Sequence, residues 1–322
     1  MTTIGDTDLD VSGLCLGTNV FGWTADAEQS FALLDAYAEA GGNFLDSADS
    51  YMAGAEGNSG GESETIIGDW MAARGNRDRM VVATKVGNLP GRRGLSPTNL
   101  TAAVDDSLRR LRTDRIDLYY AHTDDTDTPQ EDYLAAFDGL VRAGKVRALG
   151  ASNFDADRLR SALEISGRDG LARFEAVQPH YNLVERGYEE DQALLVQKEG
   201  LSCFPYFGLA KGFLTGKYRP GSDGRVDSGA TEGAMGWARA GGAKAYLDER
   251  GVRVLGVLDE VAAAHDVPVA SVALAWLSAQ PTVVAPIASA RTLDQLAQIL
   301  PSTGLALAPD ELAGLSRASE SR

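Results

Sequence analysis

A regular alternation of two kinds of segment constrains the fold of this 322-residue chain more than any other feature of its sequence. Short apolar or β-branched runs, typical of buried strands, alternate about eight times with amphipathic stretches of helical spacing. The runs predict strands at residues 13–17, 43–46, 80–85, 116–122, 146–152, 175–178, 201–206 and 283–287. The amphipathic stretches predict helices at residues 27–40, 62–73, 97–111, 130–142, 155–165, 189–198, 252–279 with a break at Pro268, and 292–299.

Strands that are separated by helices pair in parallel through crossovers, which gives a sheet covered by helices. Eight such units favour closure into a barrel, and no linker or change of composition divides the chain. We therefore predict an α/β fold, a (β/α)8 TIM barrel that forms a single domain over residues 1–322. Residues 218–242, after the seventh strand, form a long Gly-, Asp- and Arg-rich segment that we expect to cover the barrel mouth, the alternative being a tolerated insertion.

The composition excludes several classes of partner. With 46 acidic and 30 basic residues the net charge is −16, which argues against nucleic acid and anionic lipid. No run of about 18 apolar residues suits a membrane span, and the first residues lack the basic and apolar regions of a secretion signal. Cys15 and Cys203 lie in apolar segments, so we expect reduced core thiols and a cytoplasmic protein. The absence of a coiled coil favours a monomer.

Motifs that would indicate other chemistries are missing from the sequence. No Gly-x-Gly occurs, so the dinucleotide fingerprint of a doubly wound fold is absent. Residues 139–146 imitate a phosphate-binding loop but lack its Ser/Thr and end a helix instead of opening one. The three histidines have no metal-ligand spacing, so we expect no metal, and no Gly-x-Ser-x-Gly elbow is present.

Six successive predicted strands end in a polar group. In a barrel of this kind reactive groups gather at the carboxyl ends of the strands, so these side chains are candidates for chemistry. They are Asp46, Lys85, His122, Ser152 with Asn153, Gln178 and Tyr206. Each residue taken alone is compatible with an ordinary structural or solvated polar group.

Lys85 is the most informative of these residues, because only six of the 30 basic residues are lysines. A lysine inside a barrel mouth needs a counter-charge, which Asp46 on the neighbouring strand can supply. Tyr51, five residues beyond Asp46, can return over the same mouth. We expect the ammonium to lower the pKa of Tyr51 from its usual value of about 10, which would make it a proton donor to a developing alkoxide. His122 would hydrogen-bond the same oxygen.

Several short motifs occur in order along the chain, most of them at strand ends. They are Leu16-Gly17-Thr18, NFLDSADSY at 43–51, GESE at 61–64, ATK at 83–85, LYYAH at 118–122, GKVR at 144–147, GASN at 150–153, VQPHYN at 177–182 and GFLTGKY at 212–218. In this order they resemble the motifs of the aldo-keto reductase family, and the resemblance covers nearly the whole chain. It implies a catalytic tetrad of Asp46, Tyr51, Lys85 and His122, in which Tyr51 is the general acid.

The resemblance further implies a bound nicotinamide cofactor that gives its C4 hydride to the carbonyl carbon of a small-molecule substrate. Ser152, Asn153 and Gln178 would hold the carboxamide, and Tyr206 would stack on the ring. Against the remainder of the cofactor the resemblance places Gly17, Thr18, Asn19, Asp46, Phe207, Gly208, Leu209, Ala210, Lys211, Gly212 and Lys217. Phe207-Gly208 departs from the usual Ser-Pro pair of the family, which removes a hydroxyl contact to phosphate and adds an apolar ring.

Residues 286–296, PIASARTLDQL, resemble the segment of the family that binds the 2′-phosphate and adenine. Ser289, Arg291 and Gln295 fit that pattern, whereas Gln298-Ile299 replaces an acid-asparagine pair. A fixed cation just before a helix suits a 2′-phosphate, so NADP(H) is expected in preference to NAD(H). The alternative is a solvent-facing arginine at the start of a helix.

Aromatic side chains that follow the first strand or lie in the long segment are candidates for the substrate pocket, although core packing is equally compatible with them. Together with Tyr51 and His122 they are Phe21, Trp23 and Trp237. Two other functions stay open. One is an aldolase that uses Lys85 as a Schiff-base nucleophile. The other is a nicotinamide-binding barrel that senses redox state or regulates a partner without significant turnover.

Overall fold

The computed structural model describes residues 1–219 and 241–320. Eight parallel strands form its central sheet. They are β1 Cys15–Gly17, β2 Phe44–Asp46, β3 Val81–Val86, β4 Ile116–Ala121, β5 Val146–Ser152, β6 Phe174–Gln178, β7 Ser202–Cys203 and β8 Ile287–Ala288. The ladder runs from β7 through β6, β5, β4, β3, β2 and β1 to β8.

The sheet closes on itself between β7 and the segment that leads into β8. The Val284 amide donates to the Cys203 carbonyl at 3.0 Å, and the Ile287 amide donates to the Pro205 carbonyl at 2.9 Å. A parallel bridge between Cys203 and Val283 lies beside these bonds. The predicted TIM barrel is therefore confirmed.

Besides a helical stretch at residues 241–244, ten helices with defined ends lie within residues 1–219 and 241–320, apart from short 3-10 turns. They are α1 Ala27–Glu39, α2 Glu62–Arg74, α3 Pro97–Leu111, α4 Gln130–Arg142, α5 Ala156–Asp169, α6 Gln192–Glu199, α7 Glu249–His265, α8 Val269–Ser278, α9 Leu293–Ile299 and α10 Pro309–Ala318. Several begin where a side-chain oxygen accepts an early amide hydrogen, as Ser96 does from Asn99 and Asp155 from Arg158.

Some predicted boundaries were wrong for identifiable reasons. The seventh and eighth strands are much shorter than 201–206 and 283–287, because Pro205 and Pro286 lack the amide hydrogen that a longer ladder needs. The helix predicted from 189 begins at Gln192, after a 3-10 turn, and the one predicted from 252 begins at Glu249. No prediction had included α10.

The two ends of the barrel differ in chemistry. At the amino end, a hairpin of Thr2–Thr3 with Asp10–Val11 packs Ile4, Leu9 and Val11 against the apolar interior of the barrel. The interior cluster also contains Phe44 and Phe204, whose rings meet edge to face at 5.0 Å. The barrel is thus plugged at its amino end, and its polar strand ends lie at the opposite mouth.

Most of the long segment at 218–242, and with it Trp237, lies outside the described residues. Within the described part of the chain, no single helix is long and apolar enough to cross a bilayer; only α7 and α8 together reach that length and hydropathy, and they are bent by 99°. Cys15 and Cys203 are buried and unpaired, as the sequence predicts.

Candidate active site

The main chain brings Tyr51 back over the barrel mouth. Beyond β2, the Ser47 amide donates to the Ala83 carbonyl at 2.8 Å and the Asp49 amide donates to the Lys85 carbonyl at 3.2 Å. The segment therefore continues to pair with β3 after β2 has ended. This pairing places the Tyr51 side chain above the end of β3, where Lys85 lies.

Lys85 is fully enclosed at the carboxyl end of β3, with 1% of its surface exposed. Its Nζ donates to Asp46 Oδ2 at 2.6 Å, to the Ser47 carbonyl at 2.7 Å and to Tyr51 Oη at 2.6 Å. An ammonium has three hydrogens to donate, and these three acceptors use all of them. Burial lowers the pKa of Lys85, while the negative charge of Asp46 opposes that shift.

The Tyr51 hydroxyl accepts from Lys85 and donates to Asp46 Oδ2 at 2.8 Å. Burial, followed by the charge of Asp46, raises the pKa of Tyr51 well above 10.0. The prediction that the ammonium lowers this pKa was wrong, because burial and the carboxylate of Asp46 raise it. The phenol consequently keeps its proton at neutral pH.

His122 follows β4 directly and lies beside Tyr51. Its ring centroid is 6.2 Å from that of Tyr51, edge to face, and its Nδ1 is 3.4 Å from Ser50 Oγ. Burial and the positive charge of Lys85 lower the pKa of His122 from 6.5 to about 3. The imidazole is therefore neutral at physiological pH and able to donate one hydrogen bond into the mouth.

The amide-bearing residues at the ends of β5 and β6 form a hydrogen-bonded chain. Gln178 Nε2 donates to Asp46 Oδ1 at 2.8 Å, and Ser152 Oγ donates to the Gln178 carbonyl at 2.9 Å. Asn153 Nδ2 donates to the His122 carbonyl at 2.9 Å, and its φ of 57° is left-handed. The structure thus ties Gln178 to the carboxylate that holds Lys85, a contact that the sequence did not indicate.

Tyr206 stands at the rim of this cluster, half-buried. Its hydroxyl donates to Asn153 Oδ1 at 2.8 Å. His180 stacks on one face of its ring, with centroids 5.3 Å apart and planes inclined by 13°. Phe207 meets the Tyr206 ring edge to face at 5.2 Å. The ring is therefore held by a stacked imidazole, by a hydrogen bond at its hydroxyl and by a T-shaped contact with Phe207.

The segment after Tyr206 has an unusual backbone. Phe207, Ala210 and Lys211 all have left-handed φ values between 48° and 57°, and Gly212 follows at 95°. Strained conformations of this kind in non-glycine residues cluster at ligand-binding sites. Lys211 Nζ lies 5.7 Å above the Phe207 ring, so the apolar side chain that replaces the family serine is covered by a cation.

Two glycines allow close approach of side chains from elsewhere in the chain. A Cβ on Gly212 would lie 3.2 Å from Lys217 Nζ, and a Cβ on Gly17 would lie 2.7 Å from Ser289 Oγ. Ser289 Oγ in turn donates to Asn19 Oδ1 at 2.9 Å. The two distant segments that the sequence assigns to one cofactor site are thus in contact.

The remaining residues predicted to bind the cofactor, near β1 and α9, differ in their contacts and exposure. Thr18 Oγ1 donates to the Asp46 carbonyl at 2.8 Å, and Gln295 Oε1 accepts from the Arg291 amide at 2.9 Å. Partial burial and the positive charge of Arg291 both lower the pKa of Lys217. The Gln298 side chain is exposed, and its carbonyl accepts from Ser271 Oγ at 2.7 Å.

The other residues of the predicted cofactor segment and the aromatic candidates for the pocket differ in how deeply they are buried. Ala210 is buried and Leu209 packs against the main core, while a Cβ on Gly208 would lie 3.0 Å from Leu274. Phe21 is 1% exposed and belongs to the main core, so it does not wall an open pocket as predicted. Trp23 is half-buried.

Comparison with known proteins decides the family. Residues 13–320 match the Aldo/keto reductase family, which is nearly the whole chain. The chain belongs to that family. As an aldo/keto reductase it is an oxidoreductase by family, and the barrel and the order of its motifs agree with that class.

Individual aldo/keto reductases that are similar to the chain come from fungi and bacteria. It is 34% identical to norsolorinic acid reductase stcV of Emericella nidulans, over 94% of this chain and 76% of that protein. It is 31% identical to protein tas of Escherichia coli over 96% and 94%. It is 33% identical to oxidoreductase YrpG of Bacillus subtilis, described as uncharacterized, over 95% and 91%.

Two residues of this aldo/keto reductase site were not singled out from the sequence. Ser47 contributes its backbone carbonyl to Lys85, and no side-chain pattern reports a backbone acceptor. His180 stacks on Tyr206. Its position in the motif VQPHYN, two residues after Gln178, could have indicated that it lies near the site. Because Pro179 accepts from the Tyr206 amide at 3.0 Å, this stretch runs alongside Tyr206 in the fold.

Proposed function

We propose that this aldo/keto reductase converts an aldehyde or ketone to the alcohol with NADPH, and that Tyr51 donates the proton. The observation that carries the proposal is the hydrogen-bonded group of Asp46, Tyr51 and Lys85 at the barrel mouth, with neutral His122 beside it. A phenol that is held between an ammonium and a carboxylate is suited to giving up a proton only when its new negative charge is compensated.

The proton transfer can be followed through this chain's own groups. Tyr51 keeps its proton in the resting site, where it donates to Asp46. A carbonyl oxygen that enters beside His122 offers a second acceptor, and the imidazole N–H polarises the carbonyl. As the phenol loses its proton, Lys85 at 2.6 Å stabilises the phenolate. Solvent at the mouth then returns a proton to Tyr51.

The residues at the mouth fit a nicotinamide cofactor. Tyr206 presents an aromatic ring for stacking, and Ser152 and Asn153 supply polar atoms beside it. The strained turn at 207–212 and the segments joined by the contact of Asn19 with Ser289 would lie along the remainder of the cofactor. A bound reduced nicotinamide supplies the hydride for the carbonyl carbon.

Preference for NADP(H) over NAD(H) is supported by charge. The positive charge of Arg291 contributes to lowering the pKa of Lys217, so the two side chains lie within electrostatic range of each other. Such an arrangement is stabilised when an anion lies between the two side chains, and a 2′-phosphate provides about two negative charges. We extend the proposal to one catalytic domain over residues 1–322, acting as a monomer in the cytoplasm on a small carbonyl compound.

The aldolase alternative receives no support from the geometry. A Schiff-base lysine needs a free amine with an available lone pair. Lys85 instead directs three short hydrogen bonds at acceptors and forms an ion pair with Asp46 at 2.6 Å. No contact among the described residues favours a purely regulatory barrel.

Turnover measured on the purified full-length chain tests the proposed function. The protein is assayed with NADPH and with NADH against a panel of aromatic and aliphatic aldehydes, ketones and the corresponding alcohols. We expect oxidation of NADPH with at least one aldehyde, 4-nitrobenzaldehyde being the reference. Failure to oxidise either cofactor with every carbonyl of the panel, with binding intact, would favour the regulatory alternative.

A further inference from the structure

His180 lies directly behind the aromatic ring that is proposed to face the nicotinamide. Its imidazole is parallel to Tyr206 within 13° at a centroid distance of 5.3 Å. The two residues are also joined through the backbone, because the Tyr206 amide donates to the Pro179 carbonyl and His180 forms a parallel bridge with Tyr206. Backbone pairing between the two extended segments therefore holds the imidazole of His180 against the Tyr206 ring.

The Tyr206 ring is also restrained at its hydroxyl and by a second aromatic neighbour. Its hydroxyl is held by Asn153, and Phe207 packs edge to face against both Tyr206 and His180, at 5.2 Å and 5.5 Å. Without the imidazole, a planar gap would open on one face of the ring. An aromatic side chain with an open face on each side can tilt, and stacking depends on the tilt.

We infer that His180 is a positioning residue for the cofactor: it fixes the plane of Tyr206, and as a neutral ring it permits the oxidised nicotinamide to stack as well as the reduced one. This inference rests on the proposed function. The oxidised nicotinamide ring carries a positive charge that the reduced ring lacks. A cation in place of His180 would therefore act against the oxidised cofactor alone.

The surroundings of His180 favour its neutral form. Its Nε2 is buried and has no hydrogen-bonding partner among the described residues. Burial lowers the pKa of His180, and the ammonium of Lys211 lowers it further, while the carboxylate of Glu185 opposes them. The aromatic neighbours Tyr206 and Phe207 carry no charge at neutral pH, and burial raises the pKa of Tyr206.

Three substitutions separate shape from charge at this position. His180→Phe keeps a neutral ring, His180→Ala removes the ring, and His180→Arg places a permanent cation behind Tyr206. His265→Ala is the matched control, because His265 bonds Glu311 at 2.8 Å on α7, away from the strand ends. Dissociation constants at pH 7.5 are measured by NADPH fluorescence and by displacement with NADP⁺, with thermal unfolding to verify folding.

We expect His180→Phe and His265→Ala to bind both cofactors within about twofold of the wild type, since the planar support is kept. His180→Ala should weaken both by about three- to tenfold, because Tyr206 loses its aromatic support. His180→Arg should weaken NADP⁺ at least about fivefold more than NADPH.

Wild-type affinity in His180→Ala, or an equal loss of both cofactors in His180→Arg, would overturn the inference while leaving the proposed function intact. If the arginine variant does not fold, the phenylalanine and alanine variants still decide the positioning role. A wild-type protein that binds neither NADPH nor NADP⁺ would overturn both proposals.

Discussion

The Tyr51 hydroxyl oxygen lies 2.6 Å from the Lys85 ammonium nitrogen, and both atoms share one carboxylate oxygen of Asp46. These three groups form a closed triangle of hydrogen bonds at the barrel mouth. The Asp46 carboxylate accepts a hydrogen bond from the protonated Tyr51 hydroxyl. The Lys85 ammonium lies close enough to the same hydroxyl oxygen to stabilise a phenolate. In the proposed mechanism, the hydroxyl turns from Asp46 toward a substrate oxygen when the proton is transferred.

Removal of the ammonium should destabilise the fold as well as the active site. Lys85→Met leaves the buried carboxylate of Asp46 without its cation, and breaking a buried pair in this way costs about 3–5 kcal/mol. The double variant Asp46→Asn with Lys85→Met should recover most of that loss. Urea unfolding at pH 7 measures the free energies, and a single variant within about 1 kcal/mol of wild type would contradict the ion pair's role.

Asp49 should make the protein less stable as the pH rises. It is 1% exposed, neither of its carboxylate oxygens has a hydrogen-bonding partner among the described residues, and burial together with Glu64 raises its pKa to about 7. Because this pKa lies above the value in the unfolded chain, the stabilisation is complete below about pH 4 and is lost as the pH rises through about 7.

The Asp49→Asn variant should therefore gain stability relative to the wild type as the pH rises from 5 to 8. The free energy of unfolding should differ by up to about 4 kcal/mol, because each unit of pKa shift corresponds to about 1.4 kcal/mol. Asp69→Asn is the control, because the Asp69 side chain is 51% exposed on α2. Melting curves at several pH values check the difference. An Asp49→Asn curve that runs parallel to the wild-type curve would refute the shifted pKa.

The phosphate preference should depend on Arg291. Arg291→Ala is expected to weaken NADPH binding about 10- to 100-fold, the usual effect of losing a hydrogen bond to a charged group, and to leave NADH nearly unchanged. Arg109→Ala, whose side chain is 70% exposed on α3, serves as the control. Fluorescence titration gives both constants, and an equal loss for NADPH and NADH would assign Arg291 to another part of the cofactor.

Strand ends were the part of the site that the sequence predicted well. A parallel barrel sends every strand end to one mouth, so Asp46, Lys85 and His122 had to approach one another once the strands were placed. The return of Tyr51 was also predicted. What positions it is backbone pairing of residues 47–49 with β3, which no side-chain pattern encodes.

Other features were not predictable from the sequence because they depend on competing interactions in three dimensions. The pKa of Tyr51 rises because of burial and the charge of Asp46, and residue spacing gives no measure of burial. Phe21 lies near the mouth in sequence but turns into the core. The contact of Gln178 with Asp46 joins residues 132 positions apart, and it depends on the register of the five strands from β2 to β6.

The most direct test of the account is the turnover of Tyr51→Phe with NADPH and the best carbonyl of the panel. We predict that kcat falls by about 10²- to 10⁴-fold, the contribution of a general acid, while the Kd for NADPH stays within about twofold. Tyr119→Phe loses a buried hydroxyl that has no partner among the described residues and should keep wild-type turnover. A Tyr51→Phe enzyme that turns over at the wild-type rate would contradict the assignment of the proton donor.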